Sequence, residues 1–233
     1  MLYIIATPIG NLSDITLRAL EILKSVDFIL CEDTRVAKKL LEHYNINKPC
    51  ISCHQHSKLQ KMAEIKTLLA EGKNLALVSD AGTPGISDPG GLLIQYLKEN
   101  LAGVAISPIP GPSAAIAALS ISGFPTDKFL FLGFPPHKKG RQKYWQEVAG
   151  AEHTVVFYES KYRVIKSLQE LQKAARLDSQ RRADARRVGD REIVVCRELT
   201  KMFETIYRGT INEVLEEFKK STPRGEYVIV VRS

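Results

Sequence analysis

Glu32-Asp33-Thr34-Arg35 puts a carboxylate and a guanidinium two residues apart, directly after the apolar run Phe28–Cys31. Asp33 could accept a proton there, and Arg35 could hold a phosphate through a bidentate contact. The same four residues also fit a helix start, with Asp33 or Thr34 as N-cap and Glu32 complementing the helix dipole. A second polar block, Arg197-Glu198-Leu199-Thr200-Lys201, follows the apolar run Ile193–Cys196. Lys201 could bind phosphate or stabilise a forming alkoxide, with Glu198 orienting it; a surface ion pair is the alternative. Between these blocks stands Ser79-Asp80-Ala81-Gly82-Thr83-Pro84-Gly85-Ile86-Ser87-Asp88-Pro89-Gly90. Its glycines permit positive φ and close backbone approach to a ligand, and its prolines fix the loop shape. The spacing matches neither G-x-x-x-x-G-K-[ST] nor G-x-G-x-x-G, so the usual phosphate-loop and dinucleotide signatures are missing.

Further polar groups carry weaker signals. Pro108-Ile109-Pro110-Gly111-Pro112-Ser113-Ala114-Ala115 follows a strand-like run and opens a small-residue helix, whose free N–H groups could hold polar parts of a ligand. Tyr158 and Tyr162 could stack on adenine or another base. Asn11 and Asp14 could position substrate or shape their loop, with Asp14 expected as the N-cap of a helix starting at Ile15. His54 and His56 could titrate near neutrality, although loop histidines are usually structural or exposed. Cys50-Ile51-Ser52-Cys53-His54 fits a haem attachment pattern, but that chemistry needs export. A zinc site on Cys50, Cys53 and His56 lacks an obvious fourth ligand. The expectation is therefore no metal, reduced thiols, and a buried strand over Cys50–Cys53.

These loops need a scaffold that presents them at strand ends. Apolar runs at Leu2–Ala6, Phe28–Cys31, Cys50–Cys53, Leu75–Ser79 and Val104–Ser107 alternate with helix-spaced segments. That alternation predicts crossover units and a mainly parallel sheet. Later runs at Phe129–Leu132, Thr154–Tyr158, Ile193–Cys196, Thr205–Tyr207 and Tyr227–Val231 predict a second sheet. Ser57–Gln60 and Thr210–Glu213 read as capping boxes. The expected domains are 1–118 and 119–233. Arg176–Arg191, poor in apolar residues, reads as an exposed loop or mobile helix.

The chain has 233 residues and a net charge of +7. Residues 1–110 hold 11 Lys/Arg and 11 Asp/Glu, whereas residues 111–233 hold 22 and 15. All the excess positive charge therefore lies in the second half, which points to a polyanion such as nucleic acid or to a solvated basic surface. No apolar run approaches the ~18 residues of a membrane span. The start has no basic region of a signal peptide, so a cytoplasmic, non-membrane protein is expected.

Several ordered blocks together resemble one family. They are ATPIGNLSDITLRA at 6–19, EDTR at 32–35, SDAGTPGISDPG at 79–90, PIPGPSAAIAALSISGFPTDKFLFLGFPP at 108–136, FYESKYR at 157–163, RELTKMFET at 197–205 and GEYVIVV at 225–231. The chain resembles the tetrapyrrole-methylase superfamily of class III S-adenosylmethionine-dependent methyltransferases. Within it, the chain is similar to the ribosomal RNA small-subunit methyltransferase I family, which 2′-O-methylates a cytidine ribose in the decoding region of 16S rRNA. The resemblance implies two α/β domains, the first with a mainly parallel sheet and the second with a mixed one, and the donor in the cleft between them. It implies donor contacts near Pro8, Ile9, Asp80, Ala81, Gly82, Gly85, Ser113, Ala114, Tyr158, Arg197, Glu226 and Tyr227. Asp33, Arg35, Glu198 and Lys201 are then the candidates for catalysis. The implied partners are 16S rRNA or the small ribosomal subunit, and a second copy in a homodimer. A tetrapyrrole C-methyltransferase of the same fold and a non-catalytic RNA-binding assembly factor are the alternatives.

The chain departs from the family pattern in three places. His54-Gln55-His56-Ser57 stands where the family commonly has an H-E-H-N-like segment. Arg176–Arg191 is longer and richer in arginine than usual. The sequence also ends at Ser233, soon after the last strand-like run, so RNA binding is expected to rely on residues 111–233 or on a dimer.

Overall fold

The computed structural model describes residues 1–53, 59–88, 90–182, 191–220 and 223–233. The chain divides into two compact units, Met1–Ser113 and Ala114–Ser233. The boundary expected at 118/119 would cut a helix, Ala114–Ser122, that packs on strands of the second sheet.

The first unit is a five-stranded sheet of β1 (Leu2–Ile5), β2 (Phe28–Cys31), β3 (Cys50–Ser52), β4 (Leu75–Val78) and β5 (Ile106–Ile109). The strand order is β3-β2-β4-β1-β5 and every pairing is parallel. Alternate residues feed two cores, as the period of a strand requires. On one face Ile5, Ile29, Ala76 and Val78 meet α1 (Leu17–Ser25) and α2 (Thr34–His43). On the other, Leu2, Ile4, Leu30, Leu75 and Leu77 meet α3 (Leu59–Ala70) and α4 (Gly90–Asn100). A parallel sheet covered on both faces sends its ligands to the carboxyl ends of its strands.

Two local expectations change. Asp14 does not cap the first helix: it ends a 3-10 turn, Leu12–Asp14, that Asn11 caps by accepting from Ser13 N. Thr16 caps α1 instead, its hydroxyl accepting from Ala19 N at 3.1 Å. The last strand of the sheet starts later than Val104 and contains Pro108, which sits opposite Ile4. β5 is an edge strand, where the missing proline N–H breaks no ladder.

The second unit holds β6 (Phe129–Phe131), β7 (Thr154–Ser160), β8 (Glu192–Arg197), β9 (Thr205–Thr210) and β10 (Glu226–Val231), in the order β6-β7-β10-β8-β9. Only β6 with β7 is parallel, so the sheet is mixed. One face packs α6 (Arg141–Gly150), α7 (Val164–Arg182) and α8 (Ile211–Lys219) around Phe157, Val195, Ile229 and Trp145. The small-residue helix α5 (Ala114–Ser122) packs against β7, β8 and β10. Arg208 closes that helix, donating to the carbonyls of Ile121 and Ser122 at 2.6 and 3.2 Å, where the dipole favours a cation. At α8, Thr210 and Glu213 form the expected capping box. The two loop histidines and Ser57 and Lys58 of the first capping box lie outside the described residues, while its Leu59 and Gln60 begin α3. Of the Arg-rich stretch, residues up to 182 continue α7 and 183–190 lie outside the described residues. Among the described residues no helix is long and apolar enough to cross a membrane.

Candidate active site at the strand ends

In the first unit, the loops leaving the carboxyl ends of β1, β2, β4 and β5 are stitched to one another. Thr7 N donates to Gly82 O at 2.9 Å and Gly82 N returns to Thr7 O at 3.1 Å. Thr7 Oγ1 also donates to Ser79 O at 3.1 Å. Thr83 Oγ1 reaches Pro112 O at 3.3 Å, which brings in the loop after β5. Asp33 N donates to Asp80 Oδ1 at 3.2 Å, which brings in the loop after β2. The Thr7–Gly82 backbone pair and the short side chains of Thr7, Thr83 and Asp80 thus tie four strand-end loops together, the kind of scaffolded loop that carries binding sites.

The glycine loop is held from inside by Asp88. Its Oδ1 accepts from Gly85 N and Gly90 N, both at 2.7 Å. Gly82 and Gly85 lie at φ +79° and +88°, a region that side chains with a Cβ rarely occupy. A Cβ on Gly111 would sit 3.1 Å from Ala6 Cβ, so the Gly111 backbone packs closely on Ala6 after β1. Pro8 and Ile9 are buried beside them, so a ligand there meets mainly their backbone.

Asp33 and Asp80 face opposite electrostatic pressures. Asp33 caps α2 by accepting from Arg35 N at 2.8 Å, and the Arg35 guanidinium grips the same carboxylate at 2.6–3.2 Å. The Arg35 side-chain bond, with the backbone bond next, holds Asp33 down at about 2. Asp80 is pushed up, first by burial and then by the nearby charges of Asp33 and Asp88, against the bond from Asp33 N. The cap that the sequence offers as the alternative to chemistry is thus present at Asp33, together with an ion pair to Arg35. In the sequence Asp88 is no more than a flanking acid; its bracing role emerges only with the fold.

The polar block of the second unit forms a knot at one edge of its sheet. Lys201 Nζ donates to Glu198 Oε1 at 3.0 Å and to Glu226 Oε2 at 2.8 Å. Glu198 Oε1 also accepts from Glu226 N at 2.9 Å. Burial draws Lys201 down, but the two carboxylates outweigh it and its pKa is raised, so it stays an ammonium. Burial pushes Glu198 up, and the Glu226 N–H and Lys201 outweigh that to lower it. Glu198 and Thr200 both take positive φ, +51° and +66°, a strain that collects at functional loops. The knot depends on Gly225, where a Cβ would fall 2.3 Å from Glu198 Cδ. The sequence gives no local signal for Gly225, because Glu198 lies 27 positions away.

Five expected donor contacts lie in the second unit, Ala114, Tyr158, Arg197, Glu226 and Tyr227. Arg197 donates Nε to Arg224 O at 2.9 Å. The Tyr227 ring is buried in the core against Phe218, so its reach to any ligand is through backbone. Tyr158 is half-buried between Phe131 and Phe134, and burial raises its pKa. Ser113 and Ala114 stand where α5 begins, both partly accessible. The four cysteines are free thiols, and no cluster able to hold a metal occurs among the described residues.

Comparison with known proteins decides the family. Residues 1–215 match the family model of the tetrapyrrole (corrin/porphyrin) methylases. The ribosomal RNA small subunit methyltransferase I of Synechocystis is 44% identical over 99% of this chain and 78% of its own length. That of Thermotoga maritima is 40% identical over 99% of this chain and 97% of its own. The chain belongs to the ribosomal RNA small subunit methyltransferase I family, within the tetrapyrrole methylases. A solved cobalt precorrin-4 methyltransferase shares the fold, with a TM-score of 0.70 at 20% identity over 99% of this chain and 94% of its own. Members of this family are methyltransferases that use S-adenosylmethionine. The residues present fit such a donor. Glycine backbone at Gly82 and Gly85 leaves room for close approach, and the Asp80 carboxylate beside them offers negative charge suited to a sulfonium.

Proposed function

We propose that the protein transfers the methyl group of S-adenosylmethionine to the 2′-hydroxyl of a cytidine ribose in the decoding region of 16S rRNA. The observation that carries this reading is 40–46% identity, over 98–99% of the chain, to relatives named ribosomal RNA small subunit methyltransferase I. We infer that Pro8, Ile9, Asp80, Ala81, Gly82, Gly85, Ser113 and Ala114 contact the donor. Tyr158, Arg197, Glu226 and Tyr227 are proposed as further donor contacts.

The donor supplies a carbon already activated by its sulfonium, so holding the ribose hydroxyl in line accounts for much of the rate. A ribose hydroxyl is a weak nucleophile until its proton leaves. Lys201, kept cationic by Glu198 and Glu226, is suited to stabilising the alkoxide rather than to taking the proton. Arg35 is exposed and can grip a phosphate, while Asp33 fixes its guanidinium. Homodimerisation is proposed from the same family likeness, and sedimentation velocity checks it.

The test is tritium transfer from labelled S-adenosylmethionine to small-subunit particles, followed by mass mapping of 16S rRNA. Label on a cytidine ribose is the expected result. Label on a porphyrinoid instead supports the tetrapyrrole reading, which the fold of cobalt precorrin-4 methyltransferase keeps in view. Donor binding with no transfer to either supports the assembly-factor reading.

A further inference from the structure

We propose that Tyr162, Lys161 and Arg224 form a subsite for one nucleotide of single-stranded RNA, its base stacked on Tyr162 and its phosphates held by the two cations. The inference rests on the RNA reading above and adds where, outside the proposed donor contacts and catalytic residues, the strand is gripped.

Tyr162 follows the end of β7 and its ring is 85% exposed, which no packing role explains. Lys161 Nζ lies over that ring, 5.0 Å from its centroid. Beside it opens a cavity of about 470 Å³, lined by Lys161, Tyr162, Ile165, Pro223 and Arg224. Among the described residues, neither Lys161 nor Arg224 has a carboxylate within ion-pair distance, so both charges are available to an anion. An exposed aromatic ring flanked by two such cations is the chemistry that takes a base and its phosphates: the ring offers a stacking face to any base, and the cations follow the backbone.

Position supports the assignment independently. In the second sheet β7 neighbours β10, and β10 neighbours β8. The ends of these strands therefore line up Tyr162, then Arg224, then the Glu198–Lys201 knot along one edge. Arg197 Nε ties the end of β8 to the Arg224 carbonyl. The turn beyond the knot exposes Phe203, at 67%. A strand lying along this edge passes Lys201, the cation assigned to the acceptor, with one base on Tyr162.

The test is binding of a single-stranded pyrimidine oligoribonucleotide of about ten residues, measured across a salt series, beside methyl transfer to small-subunit particles. Tyr162→Ala is expected to weaken RNA binding about tenfold or more, with Tyr162→Phe retaining it. Lys161→Gln with Arg224→Gln is expected to lower the slope of log affinity against log salt by roughly 0.7 for each phosphate left without its cation. Melting temperature and S-adenosylmethionine affinity should stay at wild-type values in all these variants, because the side chains are exposed. Wild-type RNA affinity in a folded Tyr162→Ala protein overturns the subsite while leaving the rRNA reading intact. A changed sedimentation coefficient with unchanged RNA affinity also overturns it, in favour of a contact between copies. Failure of the wild-type protein to bind the oligonucleotide while it labels the particles overturns the subsite, and failure to label the particles overturns the rRNA reading itself.

Discussion

Asp33 and Asp80 are joined by one hydrogen bond, yet their acidities are pushed apart. Arg35 keeps Asp33 ionised far into acid, so Asp33 contributes stability above the ordinary carboxylate pKa and loses it only as pH falls towards about 2. Asp80 has the opposite sign. Between the ordinary carboxylate pKa and its raised value, the folded chain holds a proton that the unfolded chain has lost. Stability therefore falls as pH rises through that window. Asp80→Asn removes the penalty and keeps an acceptor for Asp33 N. Its melting temperature is expected to exceed wild type at neutral pH and to match it below the carboxylate range; equal melting curves at both pH values would count against a raised Asp80. Asp33→Asn separates two roles, because asparagine caps a helix as well as aspartate does but cannot hold Arg35 by charge. Donor affinity should stay near normal while turnover falls ~10²-fold. An unchanged rate would leave Asp33 with structural roles only, as helix cap and as partner of Arg35. The Asp33 cap is legible in the sequence because the residue stands at a helix start, whereas its grip on Arg35 is not read there. Neither is the link to Asp80, 47 positions on.

At the scale of elements, the strand-ending loops matter more than the strands. Gly85 needs φ +88° for its N–H to meet Asp88. Gly85→Val must rebuild the loop and is expected to weaken S-adenosylmethionine binding at least tenfold, about 1.4 kcal/mol, with the fold retained. Calorimetric titration giving wild-type affinity in a folded variant would remove this loop from the donor site. Gly225→Ala puts a methyl where the Glu198 side chain lies, so Glu198 has to move and Lys201 loses a partner. The expected result is a fall in turnover with little change in donor affinity; a full rate would show the knot to be an ordinary surface ion pair. Apolar runs announce all ten strands of the described chain, and Thr210 with Glu213 announces α8 through local side-chain chemistry. The start of α1 escapes such reading because Asp14 and Thr16 both precede the same apolar stripe, and only the backbone decides which one accepts from the first turn. Strand order is set by tertiary contact, so the stitching of four loops at one edge of the parallel sheet cannot be read from spacing alone.

At the scale of the whole molecule, the charge asymmetry makes its own demand. The excess of +7 belongs entirely to residues 111–233. A polyanion bound there releases counterions in proportion to the phosphates neutralised, so affinity must fall with salt. Arg181, Arg182, Arg186 and Arg187 concentrate part of that charge; the first two belong to the end of α7 and the others lie outside the described residues. Changing all four to glutamine is expected to weaken RNA binding and to flatten log affinity against log salt by roughly 0.7–0.9 for each phosphate no longer neutralised. S-adenosylmethionine affinity should not move, because none of the four arginines is among the proposed donor contacts. An effect that adds to that of Tyr162→Ala would show the charge and the stacking face to act independently. Wild-type affinity together with a wild-type salt slope in the quadruple variant would mean that this charge only keeps the chain soluble. The phosphate-binding cations would then have to be sought among the other basic residues of the second unit, with Lys161 and Arg224 first.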